Sequence, residues 1–413
     1  MTPILQTIAE ILQIALLIAT GAPVLYLFFF AVAGLFYRQP AFRKDAVLRR
    51  TIVLIPAYKE DGVIVEVARD AIRQDYPRAL FDVAVIADSL QPQTLADLRS
   101  LPVKVIEVQF EKSTKTKALN RAMEVLGDDY DIAVVLDADN LMARDFLQKV
   151  NAGLHPGLSA VQGHRTAKNL DAPLAIMDAA SEEINNHIFR KGHRAAGLSS
   201  AIIGSGMAFR YGYFKELMRD IRAIGGFDKE IELRMLKAGH TIGYLDDAIV
   251  FDEKIRKAEA FTNQRRRWLS AQINYFRSDI GPAVLELFTK GNTDYFDKAV
   301  QFILPPRILL LGTVLPASVL FTAVNFILEI PAAYTYSWLM CLALCLSVFA
   351  MSLPRSFYNL HTLKAMTGLP KGMLLMLGAL LKVRGANRQF LHTEHHPVVS
   401  RPEVTDTQKA VKI

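Results

Sequence analysis

From Ile4 to Tyr37 the chain holds no Lys or Arg and a single acid, Glu10. A stretch of this length supplies more than the roughly 20 apolar residues that a membrane helix needs. A cleaved signal peptide would require a basic segment ahead of the apolar run, which Met1 to Ile11 lacks. Positive charge follows the run instead, at Arg38, Arg43, Lys44, Arg49 and Arg50. The bias of Lys and Arg toward the inner side places the N-terminus outside and the next domain in the cytoplasm. Two more apolar runs, Ile308 to Leu328 and Ala332 to Leu353, are parted by Glu329-Ile-Pro331 and read as an outward and a returning helix. The run Gly372 to Leu381 is short and flanked by Lys371, Lys382 and Arg384, which suits a re-entrant or surface-lying segment. Three spans are expected, with the C-terminus inside; a fourth would have to come from this last run.

The expected organisation is a transmembrane helix over 1–40, a cytoplasmic domain over 41–280, interfacial and transmembrane helices over 281–385, and a cytoplasmic tail over 386–413. At 413 residues the chain exceeds one ordinary domain. Its net charge of +7 fits nucleic acid, anionic lipid or an anionic small substrate. No zinc-finger, homeodomain or basic-zipper pattern is present, so nucleic acid is not an expected partner. Cys341 and Cys345, four apart in an apolar run, read as small apolar residues on one helical face rather than a disulfide or metal site.

Between Thr51 and about Phe251, strand-like and helix-like patterns alternate, which predicts βαβ units and a mainly parallel sheet. Strands are predicted over Thr51 to Pro56, Val83 to Ala87, Lys104 to Val108, Ile132 to Leu136 and Ala201 to Phe209. Helices are predicted over Val63 to Gln74, Lys115 to Leu126 and Asp171 to about Phe189, and Gly281 to Ala299 reads as interfacial.

The first strand runs into Pro56-Ala-Tyr-Lys-Glu60, the second ends at Asp88, and the fourth ends in Asp137-Ala-Asp139. Three strand ends therefore place carboxylates on one rim, where open α/β sheets bind ligands. Glu60 and Asp88 suit a base and a ribose, because carboxylates accept from N–H and O–H groups. Asp137 and Asp139 point to opposite sides if the backbone stays extended, so they can serve a metal-diphosphate and a sugar hydroxyl; a solvated loop is the plain alternative. Lys115 and Lys117 open a helix, where cations are disfavoured, so they suit a bound anion or simply a solvated basic face. Gly204-Ser205-Gly206 reads as a close backbone approach to a sugar or as a turn.

Taken in order with Gln264-Arg-Arg-Arg-Trp268, these motifs resemble the membrane-embedded inverting glycosyltransferases of family 2, the group of cellulose, chitin and hyaluronan synthases. The likeness runs from about Thr51 to Trp268. It implies an α/β GT-A (Rossmann-like, nucleotide-diphospho-sugar transferase) domain with flanking transmembrane α-helices. It also implies that Pro56, Tyr58, Glu60, Asp88 and Lys115 meet the nucleotide-sugar, that Asp137 and Asp139 meet Mg²⁺ or Mn²⁺ and the diphosphate, and that Gln264 and Arg267 close over that diphosphate. Trp268 then stacks on the acceptor sugar, with Gly204, Ser205 and Gly206 beside it. The chemistry of the residues agrees, since Arg is a fixed charge for a leaving diphosphate and Trp an apolar face for a pyranose ring.

The same resemblance, counted back from Arg234, puts the general base at Asp228, with Glu230 and Glu232 as rivals and an N-cap role for Asp228 as the structural alternative. Three positions depart from the family pattern: Phe227 replaces an acid before the base, Lys59 stands where asparagine is common, and Ala87 replaces an acid beside Asp88. In the tail, His392, His395 and His396 read as a metal site or as part of a basic cytoplasmic tail that packs near the active site; the resemblance implies the tail, since Phe390 and Thr393 match a family segment. Arg307, just inside a predicted span, is expected to face a polar path or headgroups. The expected activity is transfer from a UDP-sugar to a growing β-linked polysaccharide at the plasma (inner) membrane, the chain associating with itself or an export partner. A single addition to a lipid-linked acceptor, and an inactive scaffold or transport subunit, are the alternatives.

Overall fold

The computed structural model describes residues 2–40, 47–223 and 225–383. Eight strands form one sheet: β1 (Thr51–Tyr58), β2 (Phe81–Asp88), β3 (Lys104–Val108), β4 (Ile132–Val135), β5 (Leu141–Met142), β6 (Ala160–Ala167), β7 (Met207–Arg210) and β8 (Ile242–Asp252). Their order is β3-β2-β1-β4-β7-β6-β8-β5. The first four are parallel; β1, β2 and β4 are apolar runs buried on both faces, as inner strands of such a sheet are, while β3 is an edge strand with Lys104 and Glu107 exposed. Along β1, Ile52 and Leu54 enter the core on one face while Val53 and Ile55 enter the other. Leu119 of helix Lys115–Val125 packs on the first side and Val67 of helix Ile64–Ala71 on the second.

The sheet is less parallel than its sequence suggests. β7 runs antiparallel to both β4 and β6, and β5 antiparallel to β8. The strand expected over Ala201 to Phe209 is reduced to Met207–Arg210, because Gly204 (φ 80°) and Gly206 (φ 63°) turn the chain just before it. β6 and β8 escape the apolar pattern: His164 and Arg165 interrupt one, Asp246 and Asp247 the other.

Three helices, Thr2–Leu35, Arg307–Ile327 and Ala332–Ser352, are long and apolar enough to cross a membrane. They pack together through Val24, Leu27, Val314, Cys341 and Cys345, with both cysteines free and buried. Ile8, Ile11, Phe29, Val319 and Phe326 stay exposed around them.

Helix Pro173–Asn185 ties this bundle to the sheet. It does not stop near Phe189 but continues through a wider π segment, Asn186–Gly192, into His193–Ala195. There the His187 ring lies 2.8 Å from the Ala31 carbonyl, and the His193 ring stacks on Phe30 at 3.7 Å. A Cβ at Gly192 would fall 2.2 Å from the Phe30 carbonyl oxygen, so only glycine permits this approach. The segment expected to begin at Gly281 proves to be the end of one helix, Ala258–Lys290, which crosses residue 280 and closes on a left-handed Gly291. Helix Leu369–Leu381 lies against its neighbours, with Met376 and Ala379 buried beside Phe261 and Leu269. The tail residues Phe390, His392, Thr393, His395 and His396 fall outside the described residues.

Candidate active site

A cavity of about 680 Å³ opens at the C-terminal ends of β1, β2 and β4. Pro56 and Tyr58 line it from the end of β1, with Glu60 just beyond and Asp88 at the end of β2. Both acids are buried, and Asp88 accepts from Ser89 Oγ at 3.0 Å. Lys59 and Ser89, each next to a strand end, have φ of 57° and 58°. Non-glycine residues enter this left-handed region uncommonly, and asparagine does so more readily than lysine. The departure at Lys59 therefore keeps a backbone shape that asparagine would adopt at lower cost. Ala87 is buried inside β2, where an acid would have no water.

After Val135 the backbone does not stay extended. Asn140 N donates to the Asp137 carbonyl at 3.1 Å, so Asp137 and Asp139 share a tight turn rather than pointing to opposite sides of a strand. The Asp137 carboxylate is one-third exposed and pairs with Lys115 Nζ. The same ammonium donates to the Gly204 carbonyl at 2.7 Å and lies 4.9 Å from the Phe227 ring centre, so Phe227 gives Lys115 an aromatic wall where an acid is usual. Asp139 is buried, 6% exposed, and Lys168 Nζ reaches its carbonyl at 3.0 Å.

Ser205 and Gly206 are not cavity residues. Ser205 is fully buried, and its Oγ accepts from Asp137 N at 3.0 Å. In the amide orientation that its neighbours require, Asn140 accepts from Ser205 Oγ at 2.7 Å and donates to Asp252 at 3.0 Å and Asp139 at 3.3 Å. Ser205 thus braces the Asp137 turn from below, and Gly206 packs under it, where a Cβ would meet Val250 at 2.9 Å. Gly204 alone of the three reaches the cavity. No cluster of three or more His, Cys, Asp or Glu suited to a metal is found among the described residues.

Behind the turn lies an ion network that apolar periodicity does not reveal. Arg165 bonds Glu182 at 2.8 Å, Arg190 bonds the other oxygen of Glu182 at 3.2 Å, and Lys254 bonds Asp252 at 2.7 Å. Burial opposes charge on Arg165, but Asp252 and Glu182 override it and raise its pKa. Burial also opposes charge on Glu182, and Arg165 and Arg190 override it, holding the carboxyl well below its ordinary range. The usable sequence signal was Glu182-Glu183, two adjacent acids on a helix that also carries Asp178.

The base candidates separate by direction. Helix Phe227–Lys237 is capped by Gly226 in a left-handed conformation, so Asp228 sits in the first turn and is not the N-cap. Asp228 lines the cavity, and a Cβ at Gly204 would lie 3.8 Å from the Asp228 Cβ. Glu230 instead accepts from Ala223 N at 2.9 Å and pairs with Arg234 at 2.9 Å. Glu232 is buried against Lys298 at 2.7 Å, and burial raises its pKa.

Gln264, Arg267 and Trp268 line the opposite wall from helix Ala258–Lys290. Burial lowers the pKa of the Arg267 guanidinium. Gln264 Oε1 is buried with no hydrogen bond among the described residues. Trp268 is 37% exposed, and Arg265 stacks over it at 4.5 Å while pairing with Asp178. Sequence reading passed over Arg265 and Asp178.

A mixed sheet with this strand order, whose parallel half carries acids at its C-terminal rim, is a GT-A domain. Residues 49–271, a little over half of the sequence, match the model described as glycosyltransferase like family 2, and the chain belongs to that family. Over 122 residues it is 31% identical to a glucans biosynthesis glucosyltransferase H of Rhodopseudomonas palustris strain ATCC BAA-98 / CGA009, and 30% identical to that of strain TIE-1. Each match takes in 26% of this chain and 17% of the relative, so the chain spans about a sixth of the length of these curated relatives. Among solved structures it is similar to the mannosyltransferase PcManGT of Pyrobaculum calidifontis, solved with GDP-Man and Mn²⁺. The TM-score is 0.52 at 20% identity, over 84% of this chain and 98% of that one.

Proposed function

We propose that the chain moves a sugar from a UDP-sugar, with inversion, onto a growing β-linked polysaccharide. The supporting observation is convergence. Asp137, Lys115, Gly204 and Asp228 meet at one end of a cavity whose facing wall carries Gln264, Arg267 and Trp268. In this reading Pro56, Tyr58, Glu60 and Asp88 hold the nucleoside, and Lys115 and Arg267 bind the diphosphate. Asp137 and Asp139 contribute the protein's share of a Mg²⁺ or Mn²⁺ site. Two carboxylates fit such an ion, because Mg²⁺ is commonly held by one or two carboxylates, substrate phosphates and water. When bound, the ion supplies charge neutralisation to the departing diphosphate. Asp228 takes the proton of the acceptor hydroxyl as its oxygen attacks the anomeric carbon from the face opposite the diphosphate. Trp268 and Gly204 border the acceptor sugar.

Residues 1–40 and 281–385 would anchor a cytoplasmic catalytic domain of 41–280 in the inner membrane, with 386–413 as a cytoplasmic tail. With three candidate spans among the described residues, a polysaccharide conduit in this reading is shared with a second copy or an export partner. One observation favours single addition to a lipid-linked acceptor: the cavity reaches Leu27 and Ile308, on two of the candidate spans. Membranes supplied with labelled UDP-sugars, UDP-glucose first, with and without Mg²⁺ or Mn²⁺, test both readings. A metal-dependent polymer is expected. A lipid bearing one sugar would replace polymerisation by the second reading, and no transfer from any donor would leave a scaffold.

Arg265 offers a finer test of the acceptor wall. Asp178→Asn removes the charge that holds Arg265 against Trp268. The acceptor KM should rise roughly tenfold, equivalent to about 1.4 kcal/mol, with the donor KM unchanged. A rise in both would mean that Asp178 supports the fold rather than Trp268.

A further inference from the structure

The cavity extends past Trp268 toward the membrane helices along one helix face. Asp178, Ser181, Asn185 and Phe189 all line it, and their spacing of three and four residues puts them on one side of helix Pro173–Asn185 and its continuation. At about 1.5 Å per residue this face covers roughly 16 Å. One end lies beside Arg265 and Trp268 and the other beside Leu27 of the N-terminal helix.

Arg307 stands on this path as the first residue of the candidate span Arg307–Ile327. Its guanidinium donates to Asn185 Oδ1 at 2.8 Å, to the Ser181 carbonyl at 3.1 Å and to Ser181 Oγ at 3.3 Å, and lies 5.7 Å from the Phe189 ring centre. Those three acceptors are neutral. The other arginines of this part of the cavity have carboxylates, Glu182 for Arg190 and Asp178 for Arg265. A cation at a helix N-terminus is electrostatically disfavoured, and one at a span boundary is costly to bury. Both costs fall when an anion binds, and the planar guanidinium suits a phosphate. Apolar side chains share the wall with these polar groups, with Leu27, Leu304, Ile308 and Met376 contributed from the candidate spans and their neighbours.

We propose that Arg307 binds the phosphate of an anionic lipid that carries the acceptor, with the lipid chain lying against Leu27, Ile308 and Met376. A neutral saccharide strand would leave the guanidinium without a carboxylate or phosphate bonded to it, since Glu182, whose charge reaches it, is already bonded to Arg165 and Arg190. A charged saccharide would supply the charge but would leave the apolar wall unused. The inference rests on the transferase reading above only for which end of the cavity takes the donor.

The test uses the full chain in phosphatidylcholine nanodiscs. Binding of a long-chain polyprenyl monophosphate is measured against the matching neutral polyprenol, inorganic phosphate and a short uronic-acid oligosaccharide, with UDP binding read in the same samples. The lipid phosphate should bind at least tenfold more tightly than the polyprenol. Arg307→Gln should lose at least tenfold in that affinity, Arg307→Lys should keep most of it, and UDP affinity should stay within twofold. Equal binding of polyprenol, unchanged binding by Arg307→Gln, or tighter binding of inorganic phosphate or the oligosaccharide would overturn the proposal. If Arg307→Gln also loses UDP, Arg307→Lys decides: retained UDP binding with lost lipid phosphate counts against the charge role, and retention of both supports it. Failure of the wild type to bind UDP would count against the transferase reading, while the lipid-phosphate comparison still judges Arg307.

Discussion

Asp137→Ala should reduce sugar transfer by about a thousandfold. The carboxylate faces the cavity from the turn after β4 and pairs with Lys115. Its removal takes away one of the two carboxylates available to a divalent ion and frees Lys115 from its orientation. Removing one preorganised electrostatic group commonly costs a hundredfold to a thousandfold in rate, and here two such groups are disturbed together. The fold should persist, because Asp137 N still donates to Ser205 Oγ and Lys115 still reaches the Gly204 carbonyl. The measurement is initial-rate transfer in purified membranes, with thermal unfolding as the control on folding. Transfer within tenfold of wild type would remove Asp137 from the mechanism. Ser205→Ala makes the companion: it leaves every cavity-lining group in place but withdraws the brace under the turn, so its effect should be smaller and should fall on metal dependence.

Asp228→Asn should slow transfer by roughly a hundredfold to ten-thousandfold, the span that general acid–base groups contribute, while UDP binding stays unchanged. The comparison with its neighbours carries the weight. Glu230 is spent on Ala223 N and Arg234, so Glu230→Gln should stay within tenfold of wild-type rate. Glu232→Ala should instead destabilise the fold by about 3–5 kcal/mol, because Lys298 would be left buried without its partner. Rates for Asp228→Asn and Glu230→Gln, with unfolding curves for all three variants, separate the roles. If Glu230→Gln proves the slow variant, the base is misassigned.

Much of the frame was readable in advance. β1, β2 and β4 showed in the sequence because parallel strands buried on both faces are short apolar runs, and that signal is local. The three apolar helices were readable for the same reason. What escaped reading depends on partners distant in sequence. β6 and β8 carry His164, Arg165, Asp246 and Asp247, charges that look like loop until the fold pairs His164 with Asp246 at 3.1 Å and Arg165 with Glu182. Gly204-Ser205-Gly206 read as a backbone approach to a sugar or as a turn, whereas the Ser205 hydroxyl is held under the Asp137 turn by groups some 65 and 68 positions away. The interfacial segment expected from Gly281 belongs to one continuous helix that begins at Ala258, and Pro282 lies inside that helix without ending it.

The sequence by itself determined which chemical groups this protein has to work with: acids at the ends of β1, β2 and β4, a Gln264 to Trp268 motif, and helices apolar enough for a bilayer. Those properties belong to residue type and short-range spacing. Only the tertiary structure decided among groups of the same type. Asp228 faces the cavity while Glu230 and Glu232 turn to Arg234 and Lys298. Asp178 holds Arg265 against Trp268, and Arg307 stands between neutral partners on the path toward Leu27. Helix phase and the position of a distant counter-charge settle each of these, and neither is written in the local order of residues.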